Sequence, residues 1–257
     1  MELNLEGKIV LVTAGSKGIG LATALGYHKC GAKVAICGRS QENLDVAAAQ
    51  MPGCLTVQAD VSKTDDIDRL VAEVTDKLGG IDILVNNAGG PPPGLFEQLD
   101  DEAWEKAVQL TLMSVVRLTR KVLPHMRTQK WGRIINISSS GIRQPVPNLT
   151  LSNSIRMGVL GWAKTLANQV AGDNILVNTV CPGLTDTDRI KEILTNQSAA
   201  TGKSLEEITA GMAAQIPVGR IGEAREIGEV AVFLGSQASS FITGQAITVD
   251  GGAAQHY

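Results

Sequence analysis

What this chain lacks narrows its chemistry. Its four cysteines, Cys30, Cys37, Cys54 and Cys181, are scattered without a CxxC pair, and it has only three histidines. No ligand set at metal-binding spacing is present, so no metal is expected, and the thiols read as small buried hydrophobes of a reducing compartment. Basic runs are missing. With 23 Lys and Arg against 26 Asp and Glu, neither nucleic acid nor a membrane surface is an expected partner, and phosphate binding has to be local. No apolar run approaches the roughly 18 residues of a membrane span, and the opening MELNLEGKIVLV lacks a signal peptide's basic flank and apolar length. The expected location is the cytoplasm. Tyrosine is scarce too, with Tyr27 and Tyr257 alone.

What is present alternates. Short apolar runs suited to strands recur at Ile9–Val12, Lys33–Cys37, Leu55–Gln58, Ile81–Val85, Arg133–Ile137, Leu176–Val180 and Ala246–Val249, with helix-like segments in nearly every gap. This pattern predicts one α/β domain over residues 1–257, a doubly wound parallel sheet with right-handed crossovers and helices on both faces. Two excursions follow the carboxyl ends of strands, where ligands of open α/β sheets bind. The first is the stiff PPPG loop, about residues 90–97, a candidate substrate wall. The second is an alanine-rich, mostly helical stretch, about 187–215, a candidate lid.

The segment KIVLVTAGSKGIG, from Lys8 to Gly20, joins a β-branched run to a glycine-rich turn and then to an apolar helix whose packed side is expected at Ile19, Ala22, Ala24 and Leu25. Backbone N–H groups and the helix dipole at such a junction attract a dinucleotide pyrophosphate, and glycine lets the backbone approach it closely. Thr13, Gly15, Ser16, Lys17 and Ile19 are the candidate contacts.

The NNAG tetrapeptide Asn86–Gly89, directly after the fourth strand, together with this loop resembles the short-chain dehydrogenase/reductase family, and the resemblance extends along the whole chain. Asp60 and Val61 resemble the family's pair beside the adenine, and Asn87, Ala88 and Gly89 its second cofactor loop. Pro182, Gly183, Leu184 and Thr187 in CPGLTDT resemble its nicotinamide loop, and TGQAITVDGG is a typical ending. The family's first loop reads TGxxxGxG, whereas this chain has Ala14 at the first glycine, with Gly15 beside it expected to supply flexibility. The resemblance implies a Rossmann-type fold and a nicotinamide cofactor. An acidic side chain after the second strand would hold the ribose of NAD, but here Gly38 and Arg39 stand there. The Arg39 fork and the Lys17 charge suit a 2′-phosphate, which points to NADP(H).

In the family a tyrosine protonates the substrate carbonyl, a lysine four residues on lowers its pKa, a serine orients the carbonyl, and an asparagine anchors a water relay. Alignment of LSNSIRMGVLGWAKTLA through Gly161, Lys164 and Leu166 puts Ser152 at the tyrosine and Arg156 at the lysine. Ser139 takes the serine position and Thr111 the asparagine. An alkyl hydroxyl is a far weaker acid than a phenol, and arginine does not exchange protons near neutrality. Arg156 could still hold the nicotinamide ribose, and with Arg143 it could stabilise an oxyanion over Ser139 and Ser152, unless Arg143 caps the SSSG loop or pairs with a surface acid. Tyr27 and His125 read as structural. Tyr257 and His256 lie on a tail that in family tetramers can reach a neighbouring subunit. The family's enoyl-reductase spacing would place its tyrosine at Leu149.

Two functions stay open at this point. One is an NADP(H)-dependent oxidoreductase exchanging hydride with a small carbonyl or alcohol substrate at an atypical site; the other is an inactive NADP(H)-binding sensor or scaffold. Redox-neutral epimerisation is not excluded. The helices expected at Asp101–Gln129 and Ser152–Val170 resemble those that pair across two-fold axes in members of the family, and this resemblance implies a homotetramer, with Leu112, Val116 and Trp162 as candidate contacts.

Overall fold

All seven strand-like runs become strands of one sheet. A computed structural model describes residues 2–255, without the side chains at positions 189, 192, 196, 197 and 200. In chain order the elements are β1 (Ile9–Val12), α1 (Gly18–Lys29), β2 (Lys33–Gly38), α2 (Gln41–Ala48), β3 (Leu55–Gln58), α3 (Thr64–Leu78), β4 (Ile83–Asn86), α4 (Asp101–Val108) and α5 (Ser114–Gln129). They continue with β5 (Gly132–Ile137), α6 (Thr150–Val170), β6 (Ile175–Pro182), β7 (Thr185–Asp186), α7 (Asp188–Thr201), α8 (Leu205–Ala213), β8 (Gly222–Glu223), α9 (Ala224–Leu234) and β9 (Ala246–Val249). The main sheet has the order β3-β2-β1-β4-β5-β6-β9, every neighbouring pair parallel. The chain winds outward from β1 through β2 and β3, then returns to start β4 on the other side of β1. A crevice therefore opens at the carboxyl ends of β1 and β4, where ligands of such sheets bind.

Burial on both faces explains why the strands read as unbroken apolar runs. On one face Leu11, Leu84, Ile134 and Val177 meet α3, α5 and α6; on the other Val10, Val12, Ile83, Val85 and Ile135 meet α1, α2 and α9. The packed side of α1 is wider than expected: Ala24 is buried and Ile19 and Leu25 pack against the core as expected, but Gly20, Thr23 and Tyr27 are buried too. The reason is that α1 is covered by α9 as well as by the sheet: a Cβ on Gly228 would sit 3.0 Å from the Ala22 carbonyl carbon, and one on Gly26 would sit 2.9 Å from Val232. A helix covered on two sides shows no single apolar stripe.

The helix expected over Asp101–Gln129 is one rod broken by a π turn at Gln109–Met113, between α4 and α5. Local widening of this kind is frequent at functional sites. Of the two excursions, one lies between β4 and α4 and the other forms α7 and α8.

Candidate active site

Thr13, the residue after β1, fastens the crevice. Its N–H donates to Val85 O at 3.1 Å, its hydroxyl donates to Asn87 O at 2.6 Å, and the Asn87 N–H donates back to that hydroxyl at 2.9 Å. Asn87 Nδ2 reaches Ala14 O at 3.3 Å. The first and second cofactor loops are thus one hydrogen-bonded unit, and Thr13 holds it together from a buried position.

Ala14 itself makes the turn. Its φ is +46°, a left-handed conformation, whereas Gly15 is not among the positive-φ glycines. The flexibility expected at Gly15 is not what is used. Gly15 is needed for space, since a Cβ there would lie 2.7 Å from Ile36 Cγ2, and its N–H donates to Cys37 O at 3.0 Å. Gly18 is left-handed at +52°, and a Cβ on Gly20 would collide with Ala14 O. The start of α1 carries no side-chain cap, so its first N–H groups are available to a ligand.

Charge surrounds this cradle on its open side. Lys17 is exposed, 3.9 Å from Asp188 at the start of α7. Arg39 is exposed just after β2, held through its carbonyl by Gln58 Nε2 at 2.9 Å, and its guanidinium has no partner among the described residues. Ser16 lies against Gly38, with Oγ 3.1 Å from where a Cβ would be. Asp60 Oδ1 accepts from Ser62 N–H at 3.0 Å and Ser62 Oγ at 2.7 Å, which shapes the turn that presents buried Val61. Ala88 is half-buried, and a Cβ on exposed Gly89 would meet nothing within 4 Å. Beyond β6, Pro182, Gly183 and Leu184 lead to Thr187, whose Cγ2 lies 3.2 Å from a Cβ built on Gly18. The loop after β6 therefore closes onto the loop after β1. Close backbone approach, unpaired helix N–H groups and exposed cations beside the second strand suit a dinucleotide bearing an extra phosphate.

The other half of the crevice lies over β5. Ser139 is half-buried and its Oγ accepts from Gly141 N–H at 3.1 Å. Ser152 and Arg156, one turn apart on α6, are both buried. Arg156 Nε donates to Ser152 Oγ at 3.2 Å, and Nη1 donates to Ile137 O at 2.9 Å, the carbonyl that ends β5. Thr111 sits in the π turn with its buried hydroxyl unpartnered among the described residues. Arg143 goes elsewhere: it is exposed and donates to Ala246 O on β9 at 3.2 Å. Burial pushes the Cys181 thiol at the end of β6 up to about 11, with Arg143 and Arg156 both acting in the opposite direction.

Tyr27 is fully buried, and its hydroxyl donates to Ala231 O at 2.9 Å. His125 Nε2 lies 3.3 Å from Asp82 Oδ1, at the opposite end of the sheet. His256 and Tyr257 lie outside the described residues. Gln255 N–H donates to Gln144 Oε1 at 2.9 Å, beside the loop after β5.

Two features were not anticipated. Asn153, next to Ser152, donates from Nδ2 to Val146 O at 2.9 Å and so braces the loop between Ser139 and α6. The loops after β4 and β5 are also zipped together, Gly94 N–H to Asn148 O at 2.8 Å and Thr150 Oγ1 to Gly94 O at 3.0 Å. Leu95 and Phe96, 51% and 68% exposed, form an apolar lip there. Between α7, α8 and β8 lies a cavity of about 480 Å³ lined by Ile190, Leu194, Leu205 and Ile221 among others. Among the described residues no helix is long and apolar enough to cross a membrane.

A parallel sheet of this order, with a glycine-rich loop and helix N-terminus at its switch point, defines a dinucleotide-binding domain. Residues 13–254 match the family model described as Enoyl-(Acyl carrier protein) reductase. The 3-oxoacyl-(acyl-carrier-protein) reductase FabG of Thermotoga maritima is 37% identical over 254 residues, covering 97% of this chain and 99% of the relative. That of Vibrio cholerae is 36% identical over 256 residues, covering 97% and 98%. Among solved structures, L-sorbose reductase from Gluconobacter frateurii, complexed with NADPH and L-sorbose, superposes with a TM-score of 0.96 at 32% identity and full coverage of both chains. Actinorhodin polyketide ketoreductase with NADPH gives 0.93 at 32% identity, covering 98% of this chain and 99% of the other. The chain belongs to the short-chain dehydrogenase/reductase family and is an oxidoreductase of that type.

Proposed function

We propose that this protein is an NADP(H)-dependent oxidoreductase that interconverts a small carbonyl compound and its alcohol, and that its oxygen-side chemistry runs without a tyrosine acid. The observation that carries the reading is the buried bond from Arg156 to Ser152 beside the end of β5. The bound nicotinamide supplies or accepts hydride at C4. The chain's own residues do the rest. Arg39 and Lys17 would pair with the 2′-phosphate, Ser16 together with Ile19 and the α1 N-terminus would hold the pyrophosphate, and Asp60 and Val61 would flank the adenine. Asn87, Ala88 and Gly89, with Pro182, Gly183, Leu184 and Thr187, would hold the nicotinamide half.

At the reacting oxygen, Ser139 offers the hydroxyl that orients it, and Arg156 holds a fixed positive charge beside Ser152. As negative charge develops on that oxygen, a preorganised cation lowers the barrier, and water delivers the proton that arginine keeps. Thr111 stands where the family has asparagine. Arg143, held at β9, contributes field rather than contact. The apolar lip of Leu95 and Phe96 suits a substrate with an apolar arm, and α7 and α8 act as its lid. Leu149, at the position of the enoyl-reductase tyrosine, cannot donate a proton, so enoyl reduction is not proposed. The alternative of an NADP(H)-binding sensor or scaffold draws its support from Tyr27, the sole tyrosine among the described residues, being buried and engaged.

Turnover of NADPH with a panel of aldehydes, ketones and keto acids, measured beside NADPH binding, separates the two readings. Arg156→Met should lower kcat by about 10²-fold, within the range for loss of an electrostatic donor, while Ser152→Ala changes it little. Ser152→Tyr with Arg156→Lys should raise simple carbonyl reduction. Loss of turnover in Ser152→Ala at unchanged NADPH affinity would replace this account with direct catalysis by Ser152, and binding without turnover of any substrate selects the sensor. For the cofactor, NADPH should bind at least about tenfold more tightly than NADH, a preference needing only about 1.4 kcal/mol. Arg39→Asp should reverse it; equal affinities in the wild type would sink the assignment.

A further inference from the structure

Beneath the cofactor loops runs a row of core side chains whose hydrogen bonds are incomplete. Asn86 on β4 and Asn136 on β5 are in register, and Thr179 on β6 is in register with Asn136. Strand alternation puts all three on the face of Leu84, Ile134 and Val177, covered by α5 and α6. They are 3%, 1% and 1% exposed. Asn86 Nδ2 donates to Asn136 Oδ1 at 2.9 Å, which uses one polar atom of each amide. Among the described residues, Asn86 Oδ1, Asn136 Nδ2 and Thr179 Oγ1 have no partner. Turning both amides over leaves one donor and one acceptor orphaned as before.

A fourth orphan, Thr119 Oγ1, comes from α5. The helix descends toward the start of β5, where a Cβ on Gly132 would meet Met126 Sδ at 2.6 Å. Thr119 lies seven residues up the helix from Met126, roughly 10 Å at about 1.5 Å per residue. Asn136 lies four residues up the strand from Gly132, roughly 13 Å at about 3.3 Å per residue. These rises bring Thr119 to within about 3 Å of the height of Asn136, on the helix that covers that face. Four uncompensated buried polar atoms would consume much of a domain's net stability.

We propose that Asn86, Asn136, Thr179 and Thr119 form a binding site for one internal water molecule. Its hydrogen-bonding capacity matches theirs. It accepts from the Asn136 amide and one threonine hydroxyl, and donates to Asn86 Oδ1 and the other threonine. The site joins the roots of three functional loops: Asn86 directly precedes Asn87–Gly89, Asn136 stands three residues before Ser139, and Thr179 leads into Cys181–Gly183. Through one solvent molecule the core sets the relative heights of those loops. This inference is independent of which residue acts at the substrate oxygen.

High-resolution crystallography of the wild type tests it directly: a solvent peak within hydrogen-bond distance of at least three of the four side chains is expected, and its disappearance in Thr179→Val. The near-isosteric Thr119→Val and Thr179→Val should each lower Tm. The double variant should fall less than the sum, because the two hydroxyls share one water without touching. A dry site in the density, a direct Thr119–Thr179 hydrogen bond, or single variants that raise Tm additively would overturn the proposal.

Discussion

Ala14 concentrates backbone strain in the cradle. The other non-glycine residues with positive φ are Asn4, Asn148, Asn174 and Lys130; asparagine tolerates that region through local hydrogen bonds, and alanine has none to make. The conformation persists because Gly20 packs on the Ala14 carbonyl and Asn87 bonds to it. Ala14→Gly should therefore stabilise the fold by about 0.5 kcal/mol, about 1 kcal/mol of relieved strain less the greater freedom of glycine in the unfolded chain. Urea denaturation checks this; a loss of stability would mean that the methyl packs usefully. Burial of an arginine is not by itself a functional signal. Arg133 has no exposed surface and stacks over Trp131 at 4.4 Å, its Nη1 bound to the Gly132 and Asn174 carbonyls at the start of β5. What sets Arg156 apart is a hydroxyl partner at the carboxyl end of that strand.

At the scale of the elements, two helices carry the candidate contact faces. Along the α4–α5 rod and α6 a half-buried strip remains, comprising Leu112, Val116 and Trp162, with exposed Gly158 and Gly161 beside it; a Cβ on Gly161 would meet nothing within 4 Å. Small residues beside apolar ones let a second helix approach closely. If these faces pair as the family resemblance implies, light scattering at micromolar concentration should give the mass of four 27.0 kDa chains. A monomer would contradict it. The rod itself was expected from the sequence as one long helix over Asp101–Gln129. Its π turn was not, because an extra residue in a turn leaves the composition unchanged and is decided by what packs against Thr111 and Ser114. The packed side of α1 was given only in part, since two covering surfaces erase the single stripe that periodicity needs.

Across the whole molecule, thiol burial sets a pH limit. Burial pushes Cys37 up to about 12 and Cys181 up to about 11, from an ordinary value of 9.0. The unfolded chain releases these protons above pH 9 while the folded chain keeps them. Their contribution is complete below pH 9 and is lost as pH rises toward 11 to 12, by up to roughly 1.4 kcal/mol per pH unit for each thiol. Urea midpoints should fall from pH 9 to 11, and Cys37→Ala with Cys181→Ala should flatten that decline; an unchanged slope would remove the thiols as its cause. The strand-and-helix alternation and the two glycine-bearing cofactor loops were determined by the sequence alone, because apolar runs, helix lengths and tight turns follow from neighbours in the chain. Tertiary structure decided that Arg143 meets β9, and that Ala14 rather than Gly15 bends the loop. It also aligned Asn86, Asn136 and Thr179. Those outcomes depend on strand register and helix packing between residues some 40 to 100 positions apart, where the energy of contact belongs to the pair and is written in neither segment.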